Sequence, residues 1–152
     1  MTLGKLRAEV VADRVAWARR MLAGLRGLPL ASYAEFTADA RTPAAAESYL
    51  RRALEALLDL GRHVVARAFA RAVTEYKEIA DALLEAGVLD EQQGRRLREM
   101  AGYRNRLVHF YGEVTQVELY EICSERSGDI EHVLDAILTW IQADPERLEG
   151  AL

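Results

Sequence analysis

The residues with the clearest chemical character stand together between Arg104 and Tyr111, where the chain reads Arg-Asn-Arg-Leu-Val-His-Phe-Tyr. Arg104 offers a permanently charged, planar fork that matches the oxygens of a phosphate. His109 carries the side chain whose ordinary pKa, about 6.5, suits proton transfer near neutrality. Asn105 stands four positions before His109, on the same face of any helix, where its amide can orient the imidazole or an oxygen of a ligand. Tyr111 adds a phenol close behind. Arg106 is read in two ways, as a further phosphate contact or as the partner of a carboxylate. The set suits a site that holds a phosphate and moves a proton.

The surroundings fit a confined site of that kind. From Arg95 to Tyr111 five arginines face one glutamate, in a chain whose 20 Lys+Arg and 24 Asp+Glu give a net charge of −4. A sequence pI near 5.5 argues against a non-specific nucleic-acid binder, whose affinity would come from a basic surface. Arg95, Arg96 and Arg98 read as a solvated helix face, and Glu55 and Asp59 read the same way, with neutralisation of the arginines of the motif helix as the alternative. His63 and His132 read as structural. The histidines lack HxxxH or ExxH spacing and Cys123 is the sole cysteine, so neither a metal site nor a disulfide is expected. Cys123 has no base beside it in sequence and does not read as a nucleophile. With no Gly-rich phosphate loop, ATP hydrolysis is not expected, nor is a cofactor.

The elements that must carry these residues are helical throughout. Three prolines, Pro29, Pro43 and Pro145, fall where the helical pattern stops or starts, and Ala, Leu, Arg and Glu dominate between them. A first helix is predicted from about Leu3 to Leu28, with an apolar arc wide enough for both a core and a second chain. A connector from Pro29 to Arg41 follows, holding one helical turn around Tyr33 to Phe36. A second helix opens at Thr42-Pro43, with Thr42 as cap, and runs to about Arg71. A third spans about Thr74 to Glu85 and ends at Gly87. Asp90 with Gln93 forms a capping-box pattern for the fourth, which carries the Arg104–Tyr111 motif; Thr115 with Glu118 does so for the fifth, which Ser127-Gly128 kinks or splits. Short connections imply antiparallel neighbours, hence an all-α, up-and-down bundle of about five helices in a single domain over residues 1–152, with a polar tail fraying from about Asp144. The N-terminus reaches Glu9 before any apolar stretch develops, and no stretch approaches the roughly 20 apolar residues of a membrane span. A cytoplasmic protein without membrane contact is expected.

The spacing Arg, four residues, His, one residue, Tyr, late in the fourth helix of an all-α chain, resembles the signature of the HEPN superfamily of helical ribonucleases, and within it the HepT-like toxins. The stretch from Tyr49 to Val64, with Asp59-Leu60-Gly61-Arg62-His63, is similar to that family's second helix. Tyr76 to Asp90 is similar to the run-in to its motif helix. The likeness covers about two thirds of the chain.

The resemblance implies a metal-independent endoribonuclease toxin of a toxin–antitoxin pair. His109 would transfer the proton, Arg104 would clamp the transition-state phosphate and Asn105 would position both. It implies a homodimer, and at Tyr111 the site where a partner antitoxin, an MNT-type nucleotidyltransferase, attaches AMP. At about 100° per residue Arg104 and His109 differ by about 140° around a helix, so a cleft composed from two copies is expected to bring them together. The substrate class is RNA, transfer or messenger. A second reading is a non-catalytic helical module that binds a nucleotide or substrate for a separate nucleotidyltransferase.

Overall fold

The computed structural model describes residues 4–109 and 113–152. The centre of the molecule is the helix α3 (Arg41–Ala68), because its apolar residues do not keep to one stripe. Ala53, Leu54, Leu57, Leu58, Leu60, Gly61, Val64 and Val65 are all buried, so the helix needs neighbours on several sides. It packs against α1 (Ala8–Arg26), α4 (Tyr76–Glu85), α5 (Glu91–His109) and α7 (Ser127–Gln142). Each fully buried leucine on it contributes about 2 kcal/mol relative to exposure. The short α2 (Tyr33–Thr37) is the expected single turn in the connector; Ser32 caps it by accepting from the Glu35 N–H at 3.1 Å. The all-α bundle is therefore as expected, with five long helical elements among the described residues once α6 (Gln116–Glu121) and α7 are counted as one rod.

Several boundaries differ from the sequence reading, each for a physical reason. The first helix begins at Ala8, not near Leu3, because Leu6–Arg7 is an extended strand, β1, paired in parallel with β2 (Leu148–Glu149). The tail expected to fray from Asp144 is instead tied down: Asp144 caps a short 3-10 turn, Pro145–Arg147, and β2 follows it. The opening of α3 has no side-chain cap: Thr42 is buried within its first turn, Ala40 stands at the cap position, and Asp39 before it accepts from the Arg41 N–H at 2.9 Å. Its end comes at Ala68, where Ala70, at φ 51°, turns the chain away in a left-handed conformation. The bend in the last long helix precedes Ser127-Gly128: the backbone widens into a π-helix over Ile122–Arg126 and returns to α-helix at Ser127.

Two local features bring the third and fourth sequence helices against the centre. Gly61 lets α4 approach α3 closely, for a Cβ there would lie 2.8 Å from Ile79 Cγ2. Gly87, at φ 78°, closes α4, and Asp90 and Gln93 then exchange hydrogen bonds of 2.8 and 3.0 Å to open α5, the expected capping box in full. Among the described residues no helix is long and apolar enough to cross a membrane.

Candidate functional site

Of the motif, Arg104 to His109 occupy the C-terminal end of α5, which runs past the start of α4 and the middle of α3. There Arg104, Asn105 and His109 line a common cleft of about 580 Å³. Its other walls are Arg62 from α3 and the segment Thr74, Glu75, Tyr76 and Lys77 at the head of α4. One chain thus brings Arg104 and His109 to the same space, and a second copy is not needed to reconcile their directions. The length of arginine explains it: the Arg104 guanidinium folds over the Tyr76 ring, 4.5 Å from its centroid, and so reaches round the helix.

Arg104 is held mainly by charge and by that ring. Its side chain is 18% exposed, and its Nε lies 3.5 Å from Glu55 Oε1. That contact is an ion pair without a hydrogen bond, so Nε is a buried donor without a hydrogen-bond partner among the described residues. Glu55 Oε1 is shared with Arg51 Nη1 at 3.2 Å. Arg104 Nη1 reaches Asn105 Oδ1 only at 3.5 Å, the limit of a hydrogen bond. The outer edge of the fork is therefore directed by weak contacts and is suited to a stronger acceptor such as a phosphate. Glu55 and Asp59 do face the arginines, contrary to their first reading as a solvated surface. Asp59 pairs with Arg62 at 3.4 Å, and burial pushes its carboxyl above the usual range against the opposing pull of Arg62, Arg14 and Arg104. The cause is the central place of α3, which leaves its polar positions to meet α5.

The remaining expectations are sorted by what each side chain touches. Arg106, two positions from Arg104, lies outside the cleft: its Nη1 and Nη2 donate to the two Glu118 oxygens at 2.6 and 2.7 Å, and Nη2 also to the Glu113 carbonyl at 3.1 Å. That fork-to-fork pair raises the arginine's pKa and lowers the glutamate's. Arg98 pairs with Asp81 at 2.7 Å and Arg96 approaches Asp129 at 3.8 Å, so two of the three arginines read as solvated join elements together. His63 is structural, with Nε2 accepting from the Arg7 N–H at 3.1 Å, whereas His132 sits exposed on α7. Cys123 is fully buried, which pushes its thiol up to about 12 and leaves it protonated. Tyr111, with Phe110 and Gly112, lies outside the described residues. Among the described residues no group of three His, Cys, Asp or Glu is placed to hold a metal ion. Missed by the sequence reading as parts of a site were Arg62, Tyr76 and Lys77, whose distance from the motif in sequence gave no signal.

The fold has close counterparts in known structures. It superposes with a TM-score of 0.77 on a tri-AMPylated Shewanella oneidensis HEPN toxin in complex with an MNT antitoxin, at 18% identity, covering 89% of this chain and 98% of that one. A cytosolic protein of unknown function from Bacillus subtilis, YutE, gives 0.80 at 18% identity, covering 99% and 100%. A toxin–antitoxin structure with AMP-PNP gives 0.76 at 18%, covering 84% and 97%. At such identities the likeness is one of fold. No curated protein matches the chain in sequence. The family model of the HepT-like ribonucleases, in contrast, matches residues 21–137, a span that holds all of α3, α4 and α5 and every wall of the cleft. A helical bundle with Arg104, Asn105 and His109 at one cleft and a family match across most of its length is a member of the Ribonuclease HepT-like family.

Proposed function

We propose that the protein is a metal-independent endoribonuclease toxin of a toxin–antitoxin pair, acting in the cytoplasm as a homodimer. The observation that carries the reading is the convergence of Arg104, Asn105 and His109 on one cleft. The membership in a ribonuclease family and the fold shared with a HEPN toxin support it. In the reaction the ribose 2′-oxygen bonds to phosphorus and the bond from phosphorus to the 5′-oxygen breaks. One proton leaves the 2′-hydroxyl and one arrives at the departing oxygen, giving a 2′,3′-cyclic phosphate and a 5′-hydroxyl. His109, exposed at the mouth of the cleft, moves a proton. Arg104 holds the non-bridging oxygens and opposes the charge that builds on them. Asn105, beside Arg104 and one turn from His109, positions both. The described cleft contains one histidine for two proton transfers, and the proposed homodimer is the source of a second.

His109→Ala is expected to reduce cleavage of transfer or messenger RNA by at least about 100-fold, the range removed with a general acid–base group, while the far-ultraviolet circular dichroism stays unchanged. Gel analysis of RNA incubated with purified wild-type and variant protein reads this out; equal cleavage by both sinks the assignment. Regulation is proposed at Tyr111, two positions after His109 in sequence, modified by an MNT-type nucleotidyltransferase antitoxin, because adenylate is bulky and negatively charged and so competes for a phosphate site. Intact mass spectrometry after co-expression is expected to show whole adenylate increments mapped to Tyr111. An unmodified chain in a stable complex that cleaves no RNA would instead mark a binding module.

A further inference from the structure

A second cation stands at the cleft, on the same ring as the first. The Arg62 guanidinium lies 4.9 Å from the Tyr76 centroid, and that of Arg104 lies 4.5 Å from it. Two like charges on one aromatic ring repel each other, so something of opposite charge must offset them. The protein groups that do so are poorly placed. Arg62 meets Asp59 only at 3.4 Å and the Thr74 carbonyl at 3.3 Å, both at the outer edge of hydrogen bonding. Arg104 meets Glu55 without a hydrogen bond. By comparison Arg106, outside the cleft, has two contacts below 3 Å to a single carboxylate. Arg98 likewise meets Asp81 at 2.7 Å, whereas the two arginines on the Tyr76 ring have only long protein contacts. Lys77 adds a further exposed cation to the same wall.

We propose that Arg62 is a second phosphate-binding residue of the cleft, taking the RNA phosphate next to the one held at Arg104, with the Tyr76 ring as the platform that sets the two guanidiniums side by side. This rests on the reading of the cleft as an RNA site. Arg62 does not touch the reacting atoms; it binds the strand, so its loss weakens binding and spares the chemical step. Tyr76 is a positioning residue, half-buried and engaged by both forks.

The test is binding of a short fluorescein-labelled single-stranded RNA of mixed sequence, followed by anisotropy across a range of salt, in the His109→Ala background so that no strand is cut. Arg62→Gln is expected to weaken binding severalfold at moderate salt and to lower the slope of log K against log salt by about 0.7, the share of one phosphate on a single strand. Arg62→Lys, which keeps the charge, is expected to restore the slope. If Arg62→Gln leaves the slope unchanged, the inference fails even where affinity drops, since loss of the Thr74 contact alone would change affinity without changing the number of ions released. That result leaves the ribonuclease reading standing. If the parent protein binds no RNA, both readings fall together.

Discussion

A histidine that accepts a hydrogen bond from a backbone N–H has to be neutral to do so. His63 is in that position: its Nε2 receives the Arg7 N–H at 3.1 Å, and burial, reinforced by Arg67, Arg7 and Arg14, holds its pKa below the ordinary histidine value. With the folded pKa lowered, the unfolded chain binds more protons below about pH 6.5, so this contribution to stability is present at neutral pH and is lost as the pH falls. Melting temperatures between pH 7.5 and 5.5 are expected to decline more steeply for the wild type than for His63→Gln, whose amide oxygen accepts at any pH. Identical slopes would remove His63 from the account. The residue scale also shows where sequence stops being legible. Arg104 and Arg106 belong to one motif, differ by two positions, and have opposite fates. Residue type suited both to phosphate and left carboxylate pairing open for Arg106; only the placement of Glu118, twelve residues on from Arg106, decides that this one is spent on structure.

Between elements, the contact that shapes the cleft is the crossing of α3 and α4 at Gly61. A methyl there would meet Ile79 Cγ2 at 2.8 Å and Leu83 Cδ1 at 3.1 Å, both in a fully buried layer. Gly61→Ala is therefore expected to cost about 1–3 kcal/mol in urea unfolding, the usual range for overpacking. It is also expected to reduce RNA affinity, because α4 carries Tyr76 and Lys77 at its head. A stability equal to wild type would show that the helices part freely. Helix starts were legible wherever the capping group is local. Asp90 and Gln93 cap each other reciprocally, as their spacing implied. Thr115 accepts from the Glu118 N–H at 3.1 Å as expected, but the Glu118 side chain is drawn away to Arg106, so the second box is half made. The start of the first helix was illegible because the competitor for its backbone, Leu148–Glu149, lies at the far end of the chain.

Across the whole molecule, periodicity and composition were enough to specify an all-helical bundle, and one motif was enough to point to its family. The cleft was only half legible. Its α5 side follows from the motif, while its α3 and α4 sides depend on a crossing that no local pattern encodes. The pairing of β1 with β2 has a further consequence for how the molecule comes together. Leu6 meets Leu148, and Arg7 meets Glu149, across nearly the full sequence, a highly non-local pairing. Two ladder residues recover little of the entropy of closing so large a loop, so the clasp closes on a bundle that has already formed. Opening it is correspondingly a sub-global event: it uncovers Leu6, otherwise wholly buried, and releases Arg147 from the face of Trp140, 3.9 Å away, while the helices stay folded. The indole of Trp140 thus sits where its fluorescence follows the clasp, separately from the unfolding of the core.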